Sequence, residues 1–367
     1  MNTRTFTLKK LPHVHLNWEK WIGLLGQAHE AVTRYDELHR NTAHSRTLLS
    51  LLTTREAVLS METQHRKNSR VVLEDVLVFD AIGKTSPKKK AIVTDIVNWR
   101  SALNMAKNAI DRGPLSLRLI RKIHASIRKN SETAKKDIGI FRNRQNWIGP
   151  MGCSIDEAYF YPPPAHLVKK AMANLEKYIN YKEKDTLVQL AIFFVQFLII
   201  HPFMDGNGRV SRILIPLFLA KKNSTSGPVF FMSKYFQKNR LKYLEKLYNT
   251  SMKNEWEGWI KFFLEGIVQE GANNLEKTKK ILKLHHSLRS ELSGSIPSKT
   301  LERILNSLFL HPVFTEEKFA RHARLPKHEA TKILKLFKAK KIIRVVRKHS
   351  IELMKFQSLI KLVRNSD

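Results

Sequence analysis

Apolar residues recur at helical spacing along most of the chain, and period-two alternation is confined to a few short runs, a pattern that predicts a mostly α protein. The first such segment opens after Pro12 with Leu16, Trp18, Trp21, Ile22, Leu24 and Leu25, and a second runs from Ser45 to Leu59. A third, Ile92 to Ile110, stops before Gly113-Pro114, and Ser116 to Ile127 follows with Leu and Ile set among arginines. The stretch from Leu187 to Ile200 is almost wholly apolar and reads as a buried helix, with another from Arg212 to Ala220 behind it.

Between Gly139 and Pro164 the periodicity fails. Asn146-Trp147-Ile148-Gly149-Pro150-Met151-Gly152 is punctuated as a loop or short hairpin, and Tyr159-Phe160-Tyr161 before Pro162, Pro163 and Pro164 is held extended. Composition shifts again near residue 275, and Ser293-Gly294-Ser295-Ile296-Pro297-Ser298 has the character of a turn or linker. Beyond it lie helices over Thr300–Leu310, a short one capped by Thr315, and one over Pro326–Lys340, then two β-rich runs, Ile342–Val346 and Ile351–Phe356. Three helices and a hairpin describe a winged helix-turn-helix.

The 367 residues leave room for about two or three domains. No apolar run approaches the roughly 20 residues needed to cross a bilayer, so no membrane partner is expected. The start of the chain lacks the apolar segment of a secretory signal, and the single cysteine, Cys153, excludes an intrachain disulfide. Both favour a cytoplasmic protein; export by a specialised system into a host cytoplasm or nucleus stays open, and Pro87-Lys88-Lys89-Lys90 reads either as a short import signal or as a solvated charge run. Lys plus Arg outnumber Asp plus Glu 65 to 32, a formal +33. Such a field draws polyanions, among them DNA, chromatin and acidic protein surfaces, although a lysine-favouring AT-rich genome would give the same excess. From Ile281 to Asp367 there are 19 basic and 7 acidic residues. Lys327, Lys332, Lys335 and Lys338 fall on the proposed recognition helix, with Arg347 and Lys348 at the wing tip, so the module binds DNA or docks protein.

Chemistry concentrates in His201-Pro202-Phe203-Met204-Asp205-Gly206-Asn207-Gly208-Arg209-Val210-Ser211-Arg212. Two nearby glycines let backbone approach a ligand, and a loop that opens a helix points free N–H groups and a positive dipole at an anion. Asp205 can hold Mg²⁺ between one carboxylate and substrate phosphates. Arg209 and Arg212 can pair with phosphate oxygens. His201 can take a proton from an attacking hydroxyl at neutral pH. A base, a metal ligand and an anion cradle together imply phosphoryl or nucleotidyl transfer; the spacing fits neither a P-loop nor a dinucleotide fingerprint.

That segment matches His-x-Phe-x-Asp/Glu-Gly-Asn-Gly-Arg-x-x-Arg at every specified position, and by it the chain resembles the Fic family, from about Lys10 to Ala272. The resemblance implies an all-helical Fic core with a short β-hairpin flap, ATP with Mg²⁺ (or Mn²⁺), and transfer of AMP to a Ser, Thr or Tyr hydroxyl of a target protein. Relatives that transfer UMP, phosphate or phosphocholine, or that remove AMP, share the motif, although an acid at Asp205 favours metal-dependent nucleotide chemistry over phosphate transfer.

Carried over by position, His201 would be the base and Asp205 the metal ligand. The Gly206-Asn207-Gly208 backbone and the Asn207 side chain would cradle the α- and β-phosphates, Arg209 would hold the β/γ side, and Arg212 would lie near the γ-phosphate or a regulatory glutamate. Asn239 and Tyr243 would sit on the adenine side. Met151, Gly152, Tyr159 and Tyr161 belong to a flap that would hold the target as an added strand. The family's inhibitory helix, Ser/Thr-x-x-x-Glu-Gly/Asn, is degenerate: alignment on Ser60 puts Gln64 at the glutamate position, alignment from Leu73 puts Lys67 there, and Glu62 is the only nearby acid. Weakened autoinhibition is expected, with Ser60, Glu62 and Gln64 as regulatory candidates. The division expected is 1–110 for the N-terminal helical region, 111–275 for the catalytic core, 276–298 for a linker helix and turn, and 299–367 for the winged-helix-like domain, with a homodimer as one possible assembly. Two functions stay open: a protein adenylyltransferase, or a DNA-binding regulator that uses the core as a nucleotide sensor.

Overall fold

The computed structural model describes residues 10–12, 16–43, 45–62, 71–129, 137–149, 154–158 and 160–364. Its helices in chain order are α1 (Ile22–Arg40), α2 (Ser45–Leu48), α3 (Ser50–Glu62), α4 (Leu73–Ile82), α5 (Pro87–Ile110), α6 (Leu117–Ile127), α7 (Val168–Asn180), α8 (Thr186–Ile200) and α9 (Asn207–Lys221). There follow α10 (Ser233–Lys238), α11 (Arg240–Lys253), α12 (Trp256–Leu292), α13 (Ser298–Leu310), strand β1 (Val313–Phe314), α14 (Glu316–Ala323), α15 (Lys327–Ala339), strands β2 (Arg344–Lys348) and β3 (Ile351–Lys355), and α16 (Gln357–Arg364). The mostly helical expectation holds. Two units emerge, one of Met1–Asp36, Leu59–Gln64 and Asn98–Ala272, the other of Glu37–Val58, His65–Val97 and Asn273–Asp367.

The first unit is organised by α8. Asp185 caps its N-terminus, accepting from the N–H groups of Leu187 (2.7 Å) and Val188 (3.0 Å). Every residue from Leu187 to Ile200 is buried, so the helix has no wet face and must sit at the centre of its layer. Its buried Gln189 is satisfied, donating to the carbonyls of Tyr178 and Tyr181 at 2.7 and 2.8 Å. On one side α9 covers it, with Phe193 stacked on Phe218. On another α12 does, with Phe194 stacked on Trp259 and the Trp259 indole donating to Ala191 O at 2.8 Å. Burying such side chains contributes roughly 1.5–3 kcal/mol each, which fixes both ends of α8 and hence the loop that leaves it. Gly271 lets α12 approach α1 closely, since a Cβ there would lie 2.7 Å from that of Ala31.

The second unit is discontinuous in sequence. Leu48, Leu51, Leu73, Leu77 and Ala81 share one core with Ile281, Leu292, Leu305, Phe319, Phe337, Leu353 and Ile360. Its sheet has the order β1-β3-β2, antiparallel throughout, with Val313 opposite Lys355 and Lys348 opposite Ile351. His349 and Ser350 join β2 to β3, both at positive φ, as a two-residue turn of the twist a hairpin needs. Thr315 caps α14 by accepting from Lys318 N, as its position predicts. Buried Lys355 is neutralised by Glu74 at 2.8 Å. Several details differ from the sequence reading: β2 begins at Arg344 rather than Ile342 and α9 at Asn207 rather than Arg212; α4, α7, β1 and α16 are additional; and α12 runs unbroken through the region of shifting composition to Leu292.

Candidate active site

His201 follows α8 in the left-handed conformation (φ 48°, ψ 60°), which turns the chain sharply out of the helix. For a residue with a Cβ that conformation costs about 1–2 kcal/mol, and the surroundings enforce it. Arg142, buried beneath the loop, donates from Nε to His201 O (2.9 Å) and from its terminal nitrogens to the carbonyls of Ile200 (3.3 Å), Arg144 (3.3 Å) and Pro163. The backbone N–H of Arg142 adds a bond to Pro202 O at 2.9 Å. A helix end leaves its last carbonyls unpaired, so a guanidinium here satisfies them and offsets the negative end of the dipole.

The loop is then stapled. Asn207 accepts from Phe203 N (2.9 Å) and donates to Phe203 O (2.7 Å). Its side chain therefore shapes the turn, and the group it can offer an anion is its backbone N–H. Phe203 is fully buried and stacks on His124, 3.9 Å between ring centres. Gly206 adopts φ 81° as the N-cap of α9, so the first-turn N–H groups of Asn207, Gly208 and Arg209 precede any helical acceptor. Gly208, His201 and Arg212 line one cavity of about 550 Å³, with Ile148 and Phe160 of the flap and Tyr243 of α11. Ile148 and Phe160 pair as an antiparallel bridge, which gives the expected hairpin its one described rung.

Asp205 is bound on several sides. Its Oδ2 accepts from Arg128 (2.6 Å) and Arg209 (3.0 Å), and its Oδ1 from Gly206 N (2.6 Å). Partial enclosure works against the charge, but Arg209 and then Arg128 outweigh it, so the carboxyl titrates below its ordinary range. The side chain is still 59% exposed. His124 holds the main chain: Gly139 N donates to its Nδ1 (2.9 Å), so Nε2 carries the hydrogen and donates to Asp205 O (3.0 Å). Burial pushes that imidazole down to about 4 and keeps it neutral.

His201 itself faces Leu198 O through Nδ1 at 3.3 Å. A carbonyl only accepts, so this contact places the hydrogen on Nδ1 and leaves the Nε2 lone pair free. Burial pushes its pKa down to about 4, the Leu198 carbonyl opposing and Arg142 adding to the shift.

Of the remaining residues singled out from sequence, Arg212 is buried and donates from Nε to Ser60 Oγ (2.8 Å) and from Nη2 to Ser60 O (2.7 Å). Glu62 accepts from Gln237 at 2.7 Å. Tyr243 lines the cavity and packs on Phe236 and Trp259; Asn239 donates to Tyr235 O at 3.0 Å, where α10 meets α11. Tyr161 is half-buried beside Phe160. Gln64, Lys67, Met151, Gly152 and Tyr159 lie outside the described residues. The sequence reading passed over His124, Arg128 and Arg142. One signal was available for the first, since His124 falls on the apolar stripe of α6 with Ile120, Ile123 and Ile127, where a polar ring needs a partner.

Together these features place the open first turn of a helix near an imidazole whose Nε2 carries no hydrogen. The Fic/DOC family model matches residues 114–219 and the Fic/DOC N-terminal model residues 22–108, and the chain belongs to this family. A protein of Aquifex aeolicus (strain VF5) named "Probable protein adenylyltransferase" is 36% identical over 91 residues, 24% of this chain and 26% of that protein, so the match spans about a quarter of the relative's length. Among solved structures, a Fic family protein from Desulfovibrio desulfuricans G20 superposes with a TM-score of 0.58 at 15% identity, covering 94% of this chain and 98% of that one. A Fic domain containing signaling protein from Bacteroides thetaiotaomicron VPI-5482 gives 0.55 at 15% identity, over 69% and 97%. At these identities the structural likeness concerns the fold.

Proposed function

We propose that this protein transfers AMP from ATP to a hydroxyl side chain of another protein. The observation that carries the reading is the placement of His201, Gly208 and Arg212 on one cavity, with the uncapped first turn of α9 beside a neutral imidazole. The N–H groups of that turn would receive the α- and β-phosphates. Nε2 of His201 would take the proton of the incoming hydroxyl as its oxygen bonds to the α-phosphorus. The bond from that phosphorus to the α–β bridging oxygen breaks, and pyrophosphate leaves. Arg209 and Arg212 would stabilise charge on the departing end, and the apolar wall formed by Leu198, Ile199 and Leu244 suits a planar base near Tyr243.

A divalent ion fits the donor set. Asp205 is ionised and more than half exposed, and among the described residues no group of three or more acidic, histidine or cysteine side chains could hold a metal unaided. This is the one-carboxylate pattern of Mg²⁺ or Mn²⁺ completed by substrate phosphates. When bound, the ion would neutralise phosphate charge.

Incubation of the protein with a lysate and ATP labelled at either the α- or the γ-position tests the reading. Label on protein from the α-position alone supports adenylyl transfer; label from the γ-position would mean phosphate transfer, and ATP binding with neither would make the core a nucleotide sensor. A second expectation concerns Ser60. Its hydroxyl and carbonyl both hold Arg212 away from full mobility, and a hydrogen bond to a charged group contributes about 1.5–3 kcal/mol. Ser60→Ala should therefore tighten ATP binding by about tenfold or more, read by calorimetric titration; weaker binding would show that Ser60 orients Arg212 for the nucleotide, and unchanged binding that this bond does not compete with it. A rise in target labelling with Glu62→Gly would in turn assign the inhibitory role to Glu62.

A further inference from the structure

In the second unit, a cavity of about 590 Å³ opens between the end of α15, β2 and the start of α16. Its charged lining is Lys338, Lys341, Arg344 and Lys361, and no carboxylate shares it. Lys338 is 3.8 Å from Glu352, a long contact at the rim. Among the described residues no ion pair engages Lys341, Arg344 or Lys361. Four cations facing one space repel one another, and the rest of the lining, Ile343, Val345, Gln357 and Ser358, offers them no counter-charge.

The backbone fixes this arrangement. Lys341 N bonds Lys338 O (3.1 Å) and Ile342 N bonds Phe337 O (2.9 Å), the double closure of a Schellman motif, with Lys341 at its left-handed position (φ 56°). Glycine is the usual occupant of that position, so a lysine there bears strain that a local fold would avoid. Exposed Lys332 and Lys335 precede Lys338 at three-residue steps along α15, and Arg347 and Lys348 are exposed at the end of β2. α15 is the second of two helices joined by only Arg324, Leu325 and Pro326, which is the spacing of a helix-turn-helix.

We propose that this face binds the sugar–phosphate backbone of duplex DNA, with the Lys338–Lys341–Arg344–Lys361 cavity gripping phosphates beside the groove that α15 enters. The activity would be separate from nucleotidyl transfer and would need no ATP. Cation spacing along a helix, a turn and a hairpin favours a rigid rod with regularly placed charges over a flexible acidic chain.

Fluorescence anisotropy of the full-length protein with a labelled duplex of arbitrary sequence, nucleotide-free and at about 50 to 200 mM salt, provides the test. The wild type should bind with affinity that falls steeply with salt. Lys341→Gly combined with Arg344→Gln should weaken binding about tenfold or more and reduce the log–log salt slope by about two, one for each lost phosphate contact. Because Lys341→Gly relieves the left-handed strain, its unfolding temperature should not fall, so lost binding cannot be lost fold. Lys169→Gln with Lys170→Gln, which removes equal charge from exposed positions on α7, should leave affinity unchanged. No binding by the wild type, an equal loss in the α7 pair, or competition by polyglutamate as effective as that by unlabelled duplex would each overturn the proposal.

Discussion

Replacing His201 with alanine is expected to abolish transfer of α-label to protein, by about 10²–10⁴-fold for loss of a general base, while ATP still binds. The split follows from the geometry. In the proposed reaction the anion cradle would be made by backbone N–H groups of α9 and by Arg209 and Arg212, none of which depends on the imidazole. Arg142 Nε holds the main-chain carbonyl at this position whatever the side chain, so the loop should keep its path. The pH profile offers a second reading of the same residue. With burial holding His201 near 4, the base form persists well below neutrality, and the acid limb of kcat/KM should lie below the 6.5 of an ordinary histidine. Sign matters here: activity requires the unprotonated ring, so it should be full above the limb and fall as pH drops through it. An acid limb at or above 6.5, or an alanine variant that labels targets normally, would remove His201 from the chemistry.

The second large effect belongs to Arg142, which touches no proposed substrate. Its guanidinium ties together the end of α8, the left-handed His201 and the flap at Pro163. Arg142→Met preserves much of the packing volume but leaves these buried carbonyls without their donor, at about 1–3 kcal/mol for an unsatisfied group. A loss of about 3 kcal/mol in unfolding free energy is expected from denaturant titration. Catalysis should suffer separately, since a misplacement of about 1 Å in a catalytic group can reduce rate about 10²-fold. A positioning role predicts lower kcat with KM for ATP little changed; a purely structural role predicts loss of folded protein with normal kcat per folded molecule. Arg142→Lys should recover part of the stability, because the charge at the helix end remains, and less of the rate, because one ammonium cannot reproduce the fork.

Several helices, α5, α6, α8, α13 and α15 among them, were legible because their signals are local, whereas α4 and α7 were not read from the sequence. Asp185 and Ser116 cap where their side chains reach the next turn, and the apolar run of α8 admits one interpretation at that length. The motif from His201 to Arg212 was legible for a different reason: its glycines, acid and basic residues are adjacent in sequence, so spacing alone conveys the geometry. What sequence did not convey is the support beneath it. Arg142 and His124 act across 59 and 81 residues, and no local rule distinguishes an arginine in a loop from a solvated one. The Asn207 side chain shows a subtler limit, since its position was evident but its commitment to Phe203 needed coordinates. Strand β1 escaped because two residues, Val313 and Phe314, are too short for alternation to register.

The discontinuous core of the second unit bears on synthesis. Leu48, Leu51, Leu73 and Leu77 leave the ribosome early, but the side chains that cover them, from Ile281 to Ile360, emerge some two hundred residues later. During that interval a greasy surface lacks its lining and is available to chaperones or to other nascent chains. The same arithmetic governs truncation: a polypeptide trimmed to residues 22–219, the span matched by the family models, would retain the catalytic motif and yet carry those leucines permanently uncovered, a recipe for aggregation rather than a minimal enzyme.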